Sequence, residues 1–143
     1  MHASNSLIDY ARGWINTPYR HQGRDHDGID CIGFLLRIIE YAGWTPEDFT
    51  EYSRLPDGTE FVKHIRRNTE CIQEITISEM TEADMPLFWI RRPGFPQHGA
   101  ILGQRSRTLI HTHALAGKIV EEPFTHWWYK RISNVFRIRT HSE

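Results

Sequence analysis

Apolar side chains recur every three or four positions over residues 31–42, the spacing of one helix face. These positions are Cys31, Phe34, Leu35, Ile38, Ile39 and Ala42. Because Ile32 and Leu36 fill much of the opposite side, the pattern predicts a buried helix rather than a surface one. Asp30 is the expected N-cap of this helix, and Gly43 is its expected stop.

A shorter amphipathic pattern precedes the central helix. Ser6 is its expected cap, and apolar side chains follow at Leu7, Ile8, Ala11, Trp14 and Ile15. We expect this helix to end at Thr17-Pro18-Tyr19, because the residue before a proline leaves the helical region. Residues 20–28 form a predicted polar loop, and a third helix is predicted over about 60–67.

The second half of the chain alternates apolar and polar residues and predicts strands. The expected strands are 71–75, 87–90, 98–102, 108–111, 118–121 and a closing edge strand over 135–139. Residues 44–58 look irregular, with turn signals at Pro46, Pro56 and Asp57-Gly58. Helices grouped before an antiparallel sheet define an α+β class, and 143 residues predict one domain over 1–143.

Composition narrows the possible classes of protein. The 17 basic and 18 acidic residues give no general attraction to nucleic acid or to a membrane surface. Mean hydropathy of −0.53 and the lack of a long apolar run predict no membrane span. The first residues carry no secretory signal, so we expect synthesis in the cytoplasm. Two cysteines make no disulfide framework, and nine histidines supply many groups that titrate near neutrality.

Cys31 is the first candidate for chemistry, since it lies where a glycine-containing loop becomes the central helix. Backbone N–H groups and the positive end of the helix dipole favour a thiolate there, which predicts a nucleophile. The alternative is that Cys31 is a small residue of the core. Cys71, which alternates with polar residues, is expected to be structural.

A thiolate nucleophile needs a base, and histidine is the usual one. His98 begins a predicted strand, and His111 and His113 share one face of the next strand because side chains alternate. If the two strands pair as a hairpin, one imidazole can act as base and another can orient it. A tetrahedral zinc site made of these three histidines and Cys31 is the rival arrangement.

The other histidines are expected to face solvent, and the aromatic segment near the end of the chain is expected to pack on the protein. The histidines are His21, His26, His64, His126 and His141, and the aromatic residues are Trp127 and Trp128.

Several motifs resemble the NlpC-type cell-wall peptidases, which are papain-like cysteine peptidases. Thr17-Pro18-Tyr19, a short loop and then residues 28–33 opening a hydrophobic helix are similar to that family's start. Residues 83–89, 98–101 and 109–111 follow in the family's order, so the resemblance runs from about Ile15 to Arg137. The loop after Tyr19 is similar to the small versions found in phage and prophage tail-gene clusters.

The resemblance implies roles for individual residues. It makes Cys31 the nucleophile, His98 the base and His111 the third polar residue, although a register that uses His113 stays open. It places Tyr19 near the nucleophile as a helper of the oxyanion. Asp30 matches an acidic residue that meets the free amine of a stem peptide in some members, or it is only the helix cap. The candidate substrate-binding residues are Asp30 and His113.

Three positions depart from the family's pattern. Ile32 stands where the bacterial proteins usually carry serine, so their substrate contacts are not transferred. His21 replaces a common tryptophan, and Thr112 replaces a common alanine.

The resemblance implies a papain-like peptidase that cuts amide bonds in peptidoglycan stem peptides without a cofactor. The implied bond joins D-glutamate to a diamino acid. The implied setting is the cell wall, with phage tail proteins as partners and delivery by a virion, by lysis or by another protein. The rival from another class is a tail-assembly protein that keeps the fold and works by docking.

Overall fold

The structure is a computed structural model that describes residues 4–48, 50–52 and 59–141. The helices are α1 (Ser4–Arg12), α2 (Cys31–Tyr41), α3 (Thr59–Arg66) and α4 (His126–Tyr129). The strands are β1 (Arg24–Asp25), β2 (Gly28–Ile29), β3 (Ile72–Ile75), β4 (Met85–Trp89), β5 (Pro96–Gly99), β6 (Ile101–Leu102), β7 (Thr108–His113), β8 (Lys118–Pro123) and β9 (Ile132–Ile138). The predicted turns at Pro56 and Asp57-Gly58 lie outside the described residues.

Antiparallel pairing organises the strands into two main sheets. The larger sheet has the order β3-β9-β4-β5, and the smaller has the order β6-β7-β8. The two-residue strands β1 and β2 form a separate ribbon in front of α2. The predicted α+β class is therefore confirmed. Within the described residues, no helix has the length and apolar character needed to cross a membrane.

The chain passes from one sheet to the other at Ala100. On one side of it β5 pairs with β4, with Phe88 opposite His98. On the other side β6 pairs with β7, with Ile101 opposite Ile110. We expected the strand of His98 to pair with the strand of His111 as a hairpin. This prediction is wrong at His98, which pairs with β4. The two histidines belong to different sheets that meet at this corner.

The sequence predicts that the last strand lies at an edge of the sheet, and this prediction is wrong. Strand β9 lies between β3 and β4, with Phe136 opposite both Glu74 and Met85. The alternation of apolar and polar residues over 135–139 predicted a closing edge strand. In the structure Arg137 binds the buried carboxylate of Asp84 through two hydrogen bonds of 2.9 Å. A charge that is paired in this way is compatible with an interior strand.

Helix α2 forms as predicted, with its cap and its stop at the expected residues. The side chain of Asp30 accepts a hydrogen bond of 2.9 Å from the N–H of Gly33. The helix ends at Tyr41 with Ala42 as its C-cap, and Gly43 follows in the left-handed region with φ of +101°. Glycine adopts that conformation at no steric cost, so it is the usual residue after a helix end.

Helix α1 differs from the prediction at both ends. It begins at Ser4, so Ser6 is inside the first turn and is not the cap. It ends at Arg12 rather than before Pro18, and the chain then turns through Asn16 at φ of +77°. The turn residues, and not the proline, therefore end this helix.

Helix α2 lies at the centre of the hydrophobic core. Leu35, Leu36, Ile38 and Ile39 have no exposed surface, and α1, α3 and both main sheets contribute side chains to the same core cluster. Burying each such side chain gives roughly 1.5–3 kcal/mol of transfer free energy before entropy is counted. The helix is thus fixed in place, and its first residue is held at one position against the two sheets.

A close backbone contact joins the loop before α2 to the first turn of the helix. A Cβ atom added at Gly33 would lie 2.5 Å from the carbonyl oxygen of Gly23. We therefore expect Gly33→Ala to lower the free energy of unfolding by about 1–3 kcal/mol, the usual cost of overpacking. Urea unfolding at neutral pH measures this. An unchanged unfolding midpoint would contradict the close approach.

Candidate active site

Cys31 is the first residue of α2 and lies on the wall of a cavity of about 290 Å³. Backbone N–H groups of Gly99, of Cys31 itself and of Ile32 are directed at the sulfur and act to lower the pKa of the thiol. Gly99 is the last residue of β5, so this strand and the start of α2 meet at the sulfur. The side chain is partly exposed to the cavity.

The cavity is enclosed by the starts of α2 and α3, the end of β5, and the turn between β7 and β8. Most of its wall is apolar or aromatic, with a few polar groups directed inward, the usual composition of a small-molecule or peptide pocket. The lining side chains with apolar or aromatic bodies include Tyr19, Ile32, Tyr52, Phe61 and Ala114. The polar lining residues include Asp30, Glu60, His64, Gln97, His98 and Thr112.

Tyr19 lies at the cavity as the resemblance implied. Its N–H donates to the carbonyl of Gly117 at 2.8 Å, and its backbone pairs with Ile29 just before the helix. The side chain is 41% exposed. The backbone therefore fixes the position of Tyr19 relative to Cys31.

The thiol of Cys31 is held in its neutral form. Burial raises its pKa well above the ordinary value, and the neighbouring carboxylate of Asp30 raises it further. The backbone N–H groups at the sulfur lower it by less. The thiolate that we expect at the helix start is therefore disfavoured in the free protein by the burial of the sulfur and by Asp30. The partial charge of a helix start does not outweigh the loss of water around the sulfur together with an adjacent carboxylate.

His98 and His111 form a direct pair at the corner between the sheets. Nε2 of His98 lies 2.7 Å from Nδ1 of His111. His98 is half-buried and reaches the cavity, whereas His111 is 1% exposed. The two imidazoles thus form a chain that leads from the cavity wall into the protein.

Both imidazoles are uncharged at neutral pH. Burial lowers the pKa of His98 well below its usual value, and the nearby His111 lowers it further. Burial, with a smaller contribution from His113, lowers the pKa of His111 to about 3. A neutral imidazole can accept a proton, so His98 is in the state that a general base requires.

His113 does not join this pair. Its Nδ1 accepts a hydrogen bond of 3.1 Å from the N–H of Ala116, and its Nε2 lies 3.5 Å from Oε2 of Glu122. It is not one of the described residues that line the cavity. Of the two registers left open by the sequence, the geometry therefore brings His111, and not His113, to His98.

The carboxylate of Asp30 is saturated by groups of the protein itself. Oδ1 accepts from Gly33 N–H at 2.9 Å and from Arg24 Nη1 at 3.1 Å. Oδ2 accepts from Gln22 N–H at 2.8 Å and from the hydroxyl of Tyr52. Two oxygens offer about four acceptor positions, and all four are used. Asp30 is the helix cap, and a substrate ammonium would have to displace one of these donors.

Sequence reasoning missed Glu122, which holds the far side of the histidine pair. Its Oε2 lies 3.0 Å from Nε2 of His111, and its Oε1 accepts from Nε1 of Trp128 at 3.2 Å. In the β7–β8 hairpin, Glu122 is opposite Leu109 and so is the diagonal neighbour of His111. Only the register of this hairpin could have revealed the contact, and the sequence alone did not fix that register.

His64 is also placed differently from our expectation. It was expected to face solvent, but it is 1% exposed, and its Nε2 lies 3.1 Å from Oδ1 of Asp48. The reason is its position on α3, on the same face as the buried Phe61 and Ile65. Burial lowers the pKa of His64. By contrast, His26, His126 and His141 are exposed as expected.

The zinc arrangement finds no support in the geometry. In the described part of the chain, no group of three or more His, Cys, Asp or Glu side chains is placed to hold a metal ion. The ring nitrogens of His98 and His111 face each other across a hydrogen bond, whereas shared ligands would direct them toward one point.

Comparison with known proteins gives matches among solved structures. No protein-family model and no curated protein sequence matches this chain. A NlpC/P60 family protein from Bacillus cereus superposes with a TM-score of 0.67 and 18% identity, over 94% of this chain and 39% of that chain. The NlpC/p60 domain of the peptidoglycan hydrolase SagA superposes with a TM-score of 0.60 and 22% identity, over 97% of this chain and 100% of that domain. The peptidoglycan hydrolase RipB from Mycobacterium tuberculosis superposes with a TM-score of 0.63 and 17% identity, over 95% of this chain and 65% of that chain.

These similarities define the class of fold. The chain has the NlpC/P60 fold, a papain-like α+β arrangement, which confirms the fold implied by the sequence resemblance. The chain spans about two-fifths of the length of the first two similar structures, 39% and 42%. It matches the whole of the isolated SagA domain.

Alkylation of Cys31 tests the state of the thiol. Because its pKa is raised, we expect iodoacetamide to react with it more slowly than with free N-acetylcysteine at pH 7.5, with a rate that still rises above about pH 9. Mass spectrometry of a Cys71→Ala variant, in which Cys31 is the remaining cysteine, measures the rate. A reactive plateau between pH 6 and pH 8 would instead indicate a thiolate–imidazolium pair.

The lowered pKa of His111 predicts that stability falls in mild acid. Below pH 6.5 the unfolded chain binds a proton at this histidine and the folded chain does not, so the free energy of unfolding falls by up to about 1.4 kcal/mol per pH unit from this group. Urea unfolding at pH 7.5, 6.5 and 5.5 measures the slope above the range where carboxylates titrate. His111→Asn should reduce the slope by the share of this group, while His98 and His64, whose pKa values are also lowered, keep the rest; an identical slope in that variant would contradict the prediction.

Proposed function

We propose that this chain is a cysteine peptidase that hydrolyses amide bonds in the stem peptides of peptidoglycan. The observation that carries the proposal is a thiol at the start of a buried helix and, on the wall of the same cavity, the neutral imidazole of His98, which is paired with the buried His111. The fold it shares with structures described as peptidoglycan hydrolases supports the choice of substrate.

The reaction begins with proton transfer from the Cys31 thiol to His98 as the sulfur attacks the amide carbonyl. A concerted transfer suits a site in which both groups are neutral before substrate binds. His98 then gives the proton to the leaving amine, and a thioester remains on Cys31. Water attacks the thioester, passes a proton through His98 to the sulfur, and releases the acid product.

The oxyanion that forms in each step needs hydrogen-bond donors. The N–H groups at the start of α2, including that of Cys31, are close to the sulfur and supply them. The Tyr19 hydroxyl on the cavity wall is the additional donor in this proposal. His111 holds the ring of His98 through the 2.7 Å contact.

The bond that is cut and the association with a phage tail are also part of the proposal. The bond between D-glutamate and a diamino acid, which the sequence resemblance implies, is the first one to examine in the products. Association with a phage tail rests on the motif resemblance, and an endolysin among the similar structures (TM-score 0.63, 14% identity) fits a lytic role. Detection of the protein in purified virions tests the tail association.

Digestion of purified peptidoglycan tests the activity directly. We expect the wild-type protein to release peptide fragments with new termini and Cys31→Ala to release none, because no other group can form the thioester. Mass spectrometry of the fragments identifies the bond. Cys71→Ala is the matched control, since Cys71 is buried just before β3 and is not among the residues that line the cavity, and the variant should retain hydrolysis.

Hydrolysis that persists in Cys31→Ala would overturn the mechanism. A folded wild-type protein that hydrolyses nothing would favour the docking role in tail assembly.

A further inference from the structure

We propose that Glu122 is a positioning residue that acts through His111 to set the tautomer of His98, leaving Nδ1 of His98 as its lone-pair nitrogen. The use of that nitrogen as the base for Cys31 rests on the proposed function. The arrangement of hydrogens is a property of the protein alone and can be measured without substrate.

The direction of each hydrogen bond follows from the carboxylate of Glu122, which ends the hydrogen-bonded series His98–His111–Glu122. A carboxylate oxygen accepts, so Nε2 of His111, 3.0 Å from Oε2 of Glu122, carries the hydrogen. A neutral imidazole has one N–H, and Nδ1 of His111 is therefore an acceptor. Nε2 of His98, 2.7 Å away, must then be the donor. The remaining ring nitrogen of His98, Nδ1, is left with a free lone pair.

Trp128 fixes the orientation of Glu122. Its indole N–H donates to Oε1 at 3.2 Å, which leaves Oε2 for His111. The centroid of the indole ring also lies 5.0 Å from that of His111, with the ring planes at 82°, and 5.6 Å from that of His98, with the planes at 37°. The carboxylate is thus held by a donor that cannot accept, and the same side chain packs against both imidazoles.

An amide at position 122 cannot satisfy both His111 and Trp128 as they are protonated in the wild type. If the amide oxygen turns toward His111, the amide NH2 faces the indole N–H of Trp128, and two donors oppose each other. If the oxygen turns toward Trp128, the NH2 faces Nε2 of His111, which must become an acceptor. His111 then carries its hydrogen on Nδ1, His98 accepts at Nε2, and the hydrogen of His98 moves to Nδ1. The base for the thiol is lost without any change of shape.

The tautomers can be read from nitrogen chemical shifts. In ¹⁵N-histidine-labelled wild-type protein at pH 7.5, we expect His98 and His111 both to carry hydrogen on Nε2, with assignments from single His→Gln variants. In Glu122→Gln we expect both hydrogens on Nδ1. Glu121→Gln is the matched control: Glu121 binds Arg12 at 2.9 and 3.0 Å and is not in contact with the histidine pair, so it should leave both tautomers unchanged.

Kinetics give the second readout. We expect Glu122→Gln to lower kcat for peptidoglycan hydrolysis by at least about 100-fold and by up to about 10⁴-fold, the loss that follows when a catalytic imidazole is held in the wrong tautomer. Because Glu122 acts through His111, adding Glu122→Gln to His111→Asn should cause no further loss. Glu121→Gln should retain the wild-type kcat.

The outcomes separate this proposal from the proposed function. A His98 that carries hydrogen on Nδ1 in the wild type, or that keeps the Nε2 tautomer in Glu122→Gln, overturns the role of Glu122. If the variant does not fold, a wild-type His98 with its hydrogen on Nδ1 still overturns the proposal. Absence of hydrolysis by the wild type overturns the peptidase function and leaves the tautomer test valid.

Discussion

The site depends on one crossing, the point at Ala100 where the chain leaves the four-stranded sheet and enters the three-stranded sheet. His98 lies in β5 before the crossing, and this strand pairs with β4. His111 lies in β7, which pairs with β6 after the crossing. Ala100 is fully buried, so this corner is part of the core and not a surface loop. Helix α2 packs in the larger of the two core clusters, whereas Ala100 belongs to the smaller one, and the start of α2 brings Cys31 close to Gly99 at the end of β5. Two sheets and one helix therefore meet at the three candidate groups.

Exclusion of water gives this site its chemical character. The same burial that raises the pKa of the thiol lowers the pKa of both imidazoles, so proton transfer between them in the free protein is disfavoured on both sides. The ground state is a neutral thiol beside a neutral base. A substrate whose carbonyl develops negative charge near the helix start would change that balance at the moment of reaction.

The sequence predicted those parts of the fold that local patterns determine. The helix after Asp30, its stop at Gly43 and most strands follow from periodicity and capping. The interior position of β9 did not, because alternation in a strand reports one buried face and says nothing about its neighbours. The contact between His111 and Glu122 was hidden for a related reason, since it depends on hairpin register. His64 was misjudged from its basic neighbours, although its spacing from Phe61 placed it on the buried face.

The four hydrogen bonds to Asp30 connect parts of the chain that are distant in sequence. The carboxylate joins the loop at Gln22 and Arg24, the first turn of α2, and Tyr52 on the cavity wall. One side chain therefore couples the position of the helix start mechanically to the cavity wall at Tyr52. A change in this part of the wall is transmitted through Asp30 to the first turn of α2, and so the position of Cys31 and the shape of the cavity beside it are not independent.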